Sequence, residues 1–198
     1  MIKTKVFGIG LNKTGTSTLA ECGKALGYKT YSCSRKLTKD VVVDRNFSNT
    51  FSVVDKYDFF EDWPWPLIYK QLDKAYPGSK FILTKRSTPS VWLNSLKKHS
   101  MRTKPFQHCR KLAYGYNYPH GHESAFLNFY SEHNAEVREY FKNRSNDLLE
   151  VCWESGHGYE ELCDFLNRPN INESMPHVNK GDDVVNTCLL YTSDAADE

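Results

Sequence analysis

Short apolar runs alternate along the chain with segments in which apolar residues recur at helical spacing. Residues 80–85 form the clearest run, and Leu19, Cys22 and Leu26 lie on one stripe of a helix that stops at Gly27. The other predicted strands are 5–10, 28–32, 51–55 and 147–153, and the predicted helices are 16–26, 66–75, 89–99, 123–142 and 159–166. This alternation predicts an α/β fold, with helices on the faces of a mainly parallel central sheet.

The composition is that of a globular chain with one sizeable core. The 198 residues are 39% hydrophobic and 25% charged, and the mean hydropathy is −0.62. No apolar run reaches about 18 residues, so we expect no membrane span. Residues 1–8 lack the apolar core and cleavage site of a secretory signal. Six cysteines without a CxxC pair predict neither a disulfide framework nor a zinc site, so we expect a cytoplasmic protein.

The last segment, residues 188–198, departs from the preceding pattern. It matches, codon by codon, the translation of a common transposase sequencing adapter, and we interpret it as a non-native tail. A native transcript that matches through Glu198 would exclude this interpretation. Residues 1–187 are then the predicted domain. Three of the 24 acidic residues lie in the tail, so 26 basic residues face 21 acidic ones without it. This surplus suits a small anionic ligand and is too weak to predict nucleic-acid binding.

A glycine-containing turn joins the first predicted strand to the first predicted helix. It carries a lysine and four hydroxyl side chains around one glycine: Lys13, Thr14, Gly15, Thr16, Ser17 and Thr18. In a strand–loop–helix unit the backbone N–H groups and the positive helix end point at one spot, which binds phosphate or sulfate. An ordinary β–α turn with an exposed lysine is the simpler alternative.

One interpretation of this turn is the P-loop of nucleoside triphosphatases. That loop requires Gly-x-x-x-x-Gly-Lys-Ser/Thr; Gly8, Lys13 and Thr14 have the right spacing, but Asn12 stands where the second glycine belongs. Asp55, after a predicted strand, is the one acid placed to bind the magnesium ion of such a site. A P-loop kinase or NTPase therefore remains an alternative.

Four segments, in order, resemble the sulfotransferases that use 3′-phosphoadenosine 5′-phosphosulfate (PAPS). Residues 13–18 resemble the family's 5′-phosphosulfate loop, and residues 81–95 resemble its 3′-phosphate segment. Residues 58–78 resemble the Asp-Trp-Pro stretch and helix of a branch of small sulfotransferases. Residues 159–166 and 175–180 resemble the closing helix and Pro-His-x-Asn ending of that branch.

One of these segments departs from the family's pattern. The family usually reads Arg-Asp-Pro, whereas two residues separate Arg86 from Pro89. Counting from Pro89 selects Ser95 for the family's serine, and counting from Arg86 selects Asn94. We prefer Ser95 because the helix register follows the proline, with Ser87 or Thr88 as the cap.

The resemblance implies a three-layer, P-loop-like domain that transfers a sulfuryl group from PAPS to a hydroxyl or amine. The acceptor would be a small molecule or a carbohydrate, and no metal is implied. Lys13 would be catalytic, stabilising the bridging and leaving oxygens. The implied cofactor-binding residues are Lys13, Thr14, Gly15, Thr16, Ser17, Thr18, Arg86, Ser95 and Lys180. A protein that binds PAPS without transferring the group is a further alternative.

The acceptor needs a base to remove its proton. Asp62 is the first candidate, because its segment should leave a strand beside the lysine turn. Glu61, Asp58 and one of seven histidines are the alternatives, and capping of a helix near Pro64 is the competing role for Asp62.

Two further features complete the prediction. The histidines at positions 108, 120 and 122 fit no metal-site spacing, so we expect no metal. Acceptor choice is expected to lie in residues 35–49, whose structure the pattern does not predict, and in residues 103–121, which have the composition of a loop.

Overall fold

A computed structural model describes residues 4–171 and 173–176. The strands are β1 (Val6–Gly8), β2 (Thr30–Tyr31), β3 (Phe59–Phe60), β4 (Lys80–Thr84) and β5 (Leu148–Val151). They form one parallel sheet in the order β2-β3-β1-β4-β5. The helices are α1 (Thr16–Ala25), α2 (Arg35–Val42), α3 (Ser48–Val54), α4 (Tyr69–Ala75), α5 (Pro89–Arg102), α6 (Arg110–Tyr114), α7 (Glu123–Phe141) and α8 (Tyr159–Leu166). The predicted α/β fold with a parallel sheet is confirmed.

The two faces of the sheet bury different side chains, because successive residues of a strand point to opposite sides. On β1, Val6 packs with α1 and α8, whereas Phe7 packs with α2, α4 and α7. On β4, Ile82 joins the first cluster and Phe81 the second. Helices on both faces make the three-layer arrangement of a P-loop-like fold. A third cluster lies among α5, α6 and α7, around Trp92.

The predicted strand at 51–55 is wrong, since these residues belong to α3 and its C-cap, Asp55. The apolar run Phe-Ser-Val-Val has strand propensity, but Thr50 and Val54 are the buried residues, four positions apart, as on one side of a helix. The place beside β1 belongs to Phe59 and Phe60, which pair with β1 on one side and with β2 on the other. Tertiary pairing outweighs the local propensity here.

The segments whose structure the pattern left open also contain helices. Residues 35–49 supply α2 and the start of α3, and residues 103–121 contain α6 and a 3₁₀ turn, Pro105–Gln107. At the other elements the predictions are confirmed to within a few residues, and Thr88 is the cap of α5, its Oγ1 accepting from Val91 N over 3.2 Å.

The parallel sheet collects one set of loops at a single edge. Residues that follow β1, β3, β4 and β5 all leave the carboxyl edge, where ligands of open α/β sheets bind. This places the lysine turn, Asp62 and Arg86 on the same side of the molecule. In residues 4–171 and 173–176, every helix is too short or too polar to cross a membrane.

Candidate active site

The lysine turn owes its shape to two residues with positive φ. Lys13 has a φ of 69°, and Gly15, the N-cap of α1, has a φ of 92°. Because glycine has no side chain to accept from the first-turn N–H groups, this end of a ten-residue helix suits an external anion.

The turn is packed tightly against its neighbours. A Cβ atom at Gly15 would overlap the indole of Trp153, whose Nε1 donates to Gly15 O over 3.2 Å. A Cβ atom at Gly10 would overlap Thr84 at the end of β4. Glycine at positions 10 and 15 is therefore required for the backbone of the turn to lie this close to β4 and to the segment after β5.

Buried hydrogen bonds hold the first half of the turn. The Thr14 hydroxyl donates to Leu11 O over 2.6 Å and lies 2.5 Å from the Thr84 hydroxyl. Asn12 accepts twice, from Trp92 Nε1 at its carbonyl (2.9 Å) and from Tyr114 OH at its side chain (2.6 Å). Asn12, which sequence reasoning noted only as a departure from the NTPase loop, thus joins the turn to α5 and α6.

Arg86 lies against the turn. Its Nε donates to Lys13 O over 2.8 Å, and its Nη1 pairs with Glu154 Oε1 at 2.6 Å. Glu154 also accepts from Ser87 N over 2.8 Å, and Tyr130 OH accepts from Arg86 N over 3.0 Å. The guanidinium is therefore fixed in position beside the lysine. Glu154 lies 68 residues further along the chain, and no sequence signal pointed to it.

The other implied cofactor-binding residues differ in their placement. Thr16, Ser17 and Thr18 occupy the first turn of α1. Ser95 is half-buried on α5 and, in the described part of the chain, makes no hydrogen bond to Arg86. Lys180 lies outside the described residues, as do residues 188–198.

Asp62 and Lys13 are electrostatic neighbours. Asp62 directly follows Glu61 after β3 and has a φ of 65°; its Oδ1 accepts from Trp63 N over 2.9 Å, and its Oδ2 is 3.5 Å from the Thr16 hydroxyl. Burial lowers the pKa of Lys13, the positive charge of Arg86 lowers it further, and Asp62 opposes the shift. Burial raises the pKa of Asp62, and hydrogen bonding and Lys13 oppose that rise.

Glu61 is a second carboxyl in the same place. Its side chain is buried beside Ser32 and Thr16. Burial raises its pKa, and the neighbouring charge of Asp62 raises it further. Two adjacent carboxyls with raised pKa values, beside a lysine with a lowered one, are typical of sites that transfer protons. Asp58, in contrast, precedes β3 at the opposite edge, where it pairs with Lys5 at 3.8 Å.

Two histidines, which the sequence left undistinguished among seven candidate bases, also lie near Lys13. The rings of His99 and His108 meet edge to face, with centroids 5.1 Å apart. Burial lowers the pKa of His99 to about 3 and that of His108 to about 4, and the positive charge of Lys13 contributes to both shifts. Among the described residues no His, Cys, Asp and Glu side chains cluster as metal ligands would.

The acid named for an NTPase site does not reach the turn. Asp55 caps the C-terminal end of α3, and its Oδ1 accepts from Tyr76 OH over 3.0 Å. It therefore follows no strand of the sheet, and the magnesium-binding acid of an NTPase has no counterpart at this position.

Comparisons with known proteins identify the family to which this chain belongs. The model of the sulfotransferase domain family matches residues 5–184, and the chain therefore belongs to that family. A similar protein from Aspergillus versicolor, the Ava biosynthesis cluster protein M, is 28% identical over 223 aligned positions, which cover 92% of this chain and 84% of that protein.

Proposed function

We propose that this sulfotransferase-domain protein moves a sulfuryl group from PAPS to a hydroxyl or amine of a small-molecule acceptor. The observation that carries the proposal is the contact between Arg86 and the Lys13 backbone, because it brings two cations to one helix end. Burial and Arg86 together lower the pKa of Lys13, so a bound anion would relieve an unfavourable concentration of positive charge. These residues therefore fit a ligand that carries several phosphate groups.

The roles follow from the positions. PAPS, when bound, supplies the activated sulfuryl group. The backbone N–H groups of residues 15–18 would hold its 5′-phosphate. The guanidinium N–H groups of Arg86 that donate to neither Lys13 O nor Glu154 would hold its 3′-phosphate, with Ser95 and Lys180 as further contacts. Glu154 orients Arg86 from the other side. Lys13 would hold positive charge at the oxygens between which the group moves. Thr14 contributes to the shape of the turn through its inward hydroxyl.

Asp62 is the proposed base. Its raised pKa brings it closer to the pH at which a general base works, and its neighbour Lys13 marks the reacting end of the donor. In this role the carboxylate of Asp62 accepts the proton of the acceptor hydroxyl as that oxygen attacks. His99 is the second candidate base, because its ring is neutral and lies near the same lysine; burial lowers its pKa to about 3, which makes it a weaker base than Asp62.

The acceptor would enter through a cleft of about 450 Å³, which we call the α2–α6 cleft. It lies between the two segments in which acceptor choice was expected, and His108 in its lining connects it with His99. The lining is apolar and basic, without an acidic residue in the described part of the chain: Arg35, Val42, Val43, Pro105, Phe106, His108, Lys111, Leu112 and Asn117.

The charge of the cleft favours one class of acceptor. Arg110 is buried and donates from Nε to the carbonyl of one lining residue, Asn117, over 2.7 Å, while its Nη2 has no hydrogen-bond partner among the described residues. Two cations of the lining, Arg35 and Lys111, face an apolar space. We therefore propose an apolar acceptor that also carries a negative charge. Membership of the sulfotransferase domain family supports a small-molecule acceptor.

Sulfuryl transfer to three phenols of similar size tests both the proposed transferase activity and the preference for a negatively charged acceptor. 4-Hydroxyphenylacetate, tyrosol and tyramine carry a negative, a neutral and a positive tail, and we expect the first to have the highest kcat/KM. Lys111→Gln should reduce that preference, whereas Lys74→Gln, on α4, should not. Lys13→Ala should lower kcat with every acceptor by about 100- to 1,000-fold, the usual effect of removing one group that stabilises a developing charge. Normal turnover in Lys13→Ala would overturn the proposed function.

A further inference from the structure

Two thiols from distant parts of the sequence meet beside the candidate site. The Sγ atoms of Cys33 and Cys109 lie 3.9 Å apart. Cys33 is exposed to solvent, whereas Cys109 is buried, and both are free thiols. The pair therefore combines contact of the two sulfurs with an exposed residue, Cys33, although the hydrogen bond with Cys109 and burial of the Cys33 thiol itself both raise its pKa.

The surroundings of the pair link it to the α2–α6 cleft. Cys33 directly precedes Ser34, the N-cap of α2, and Cys109 is the N-cap of α6. Cys109 Sγ also lies 3.5 Å from the Thr38 hydroxyl on α2. A covalent bond between the two sulfurs would thus join the beginnings of the two helices that form the walls of the cleft.

We propose that Cys33 and Cys109 are an oxidation site, which forms a reversible intramolecular disulfide when a peroxide is present. Thiols already in contact need only approach to the S–S bond length of roughly 2.05 Å. This inference goes beyond the proposed function and does not depend on it, because it concerns only the chain and the oxidant.

The reaction balances with hydrogen peroxide as the oxidant. One thiolate attacks a peroxide oxygen, the O–O bond breaks, and a sulfenic acid and hydroxide form. The second sulfur then attacks the sulfenic sulfur, forms the S–S bond and expels water. Two thiols and one peroxide thus give one disulfide and two waters, with the sulfurs oxidised and the peroxide reduced.

The hydrogen bond between the thiols prepares one of them for this chemistry. It lowers the pKa of Cys109, which favours the nucleophilic thiolate, and it raises the pKa of Cys33. The other described cysteines, Cys22, Cys152 and Cys163, are all buried.

Peptide mapping of the full chain after mild peroxide treatment and thiol alkylation tests the site. We expect a cross-linked peptide pair that contains Cys33 and Cys109, is lost on reduction with dithiothreitol, and is absent from Cys33→Ser, a conservative change at an exposed position. The same pair should form in Cys188→Ser, whose substituted cysteine lies outside the described residues. Recovery of both residues as alkylated thiols, or linkage of either to another cysteine, would overturn the proposal.

Hydrogen exchange tests the consequence for the cleft. A disulfide that joins the two walls should slow amide exchange in residues 104–117 of the oxidised protein, and peroxide should leave exchange in Cys33→Ser unchanged. If the disulfide forms and exchange in this segment does not slow, the pair does not restrain the cleft, and that part of the inference is wrong.

Discussion

Arg86 donates a hydrogen bond from Nε to the backbone carbonyl of Lys13, over 2.8 Å. This contact joins the end of β4 to the turn after β1, although 73 residues separate the two positions. It fixes two cations next to each other at the start of α1, and Glu154 balances only one of them by a direct ion pair. The proposed donor site depends on this relationship.

The close packing of the turn gives a prediction about stability. Gly15→Ala should destabilise the fold by about 2–4 kcal/mol, because it combines the cost of a positive φ with an overlap of the new Cβ and Trp153. Gly78→Ala is the matched control: its φ is 82°, but nothing lies within 4 Å of the added Cβ, so only the backbone cost applies. Chemical denaturation of both variants measures the difference. Equal losses would show that Trp153 does not confine the turn.

The proposed base gives a prediction about pH dependence. The deprotonated form of Asp62 is the active one, so kcat/KM should fall as the pH is lowered through its pKa, which burial raises above the ordinary 3.8. Asp62→Asn should lower kcat about 100-fold or more and remove this acidic limb of the profile. It should leave the affinity for 3′,5′-adenosine bisphosphate nearly unchanged.

Asp58→Asn is the control for the same experiment, since Asp58 lies at the opposite edge of the sheet. Its profile should match that of the unaltered protein. An acidic limb that persists in Asp62→Asn would exclude Asp62 as the base. A limb near pH 3 would then favour His99, and a limb at higher pH would favour Glu61; replacing the responsible residue by Gln would remove it.

Glu61 gives a prediction about stability against pH. Its pKa in the folded protein is raised above 4.5, so the folded state binds this proton more tightly than the unfolded chain does. The stability that the neutral Glu61 carboxyl contributes is fully present below its pKa in the unfolded chain. It is lost as the pH rises through the higher pKa of the same group in the folded protein. Glu61→Gln removes that loss and should therefore stabilise the protein more at pH 8 than at pH 5.

The expected size follows from the linkage relation. Each unit of raised pKa corresponds to about 1.4 kcal/mol, which for a chain of this length shifts the Tm by roughly 3–6 °C. Thermal unfolding at the two pH values measures the gain, with Glu132→Gln, an exposed carboxyl on α7, as the control. An equal change of Tm at both pH values would mean that Glu61 is ionised at no cost in the folded protein.

Most of what the sequence could predict came from strand–turn–helix motifs that are contiguous along the chain. The unit of β1, the turn and α1, and the unit of β4 and α5, each lie within about 20 residues, so their motifs are visible along the chain. The parallel sheet then brings Lys13, Asp62 and Arg86 to one edge. For these reasons the fold class and the members of the candidate site could be proposed before any coordinates.

Long-range contacts account for most of what the sequence could not predict. The pairing of Arg86 with Glu154 and the approach of Cys33 to Cys109 join positions 68 and 76 residues apart. No local sequence pattern predicts contacts between residues so far apart in the chain. The strand β3 is only two residues long, too short to show the alternation of apolar and polar residues that predicts a strand. The nearby residues 51–55 contain two β-branched valines and have strand propensity, but they form the end of α3 and its C-cap.

The central claim is that Arg86 recognises a 3′-phosphate beside Lys13, and calorimetric titration tests it most directly. We predict that 3′,5′-adenosine bisphosphate binds more tightly than ADP with magnesium. Arg86→Ala should weaken binding of the bisphosphate by about 10- to 100-fold, the range for the loss of hydrogen bonds to charged groups, and should leave the affinity for ADP nearly unchanged. Arg138→Ala, whose arginine pairs with Glu150, should change neither. Tighter binding of ADP with magnesium, or a bisphosphate affinity that does not depend on Arg86, would contradict the account and favour a nucleotide kinase.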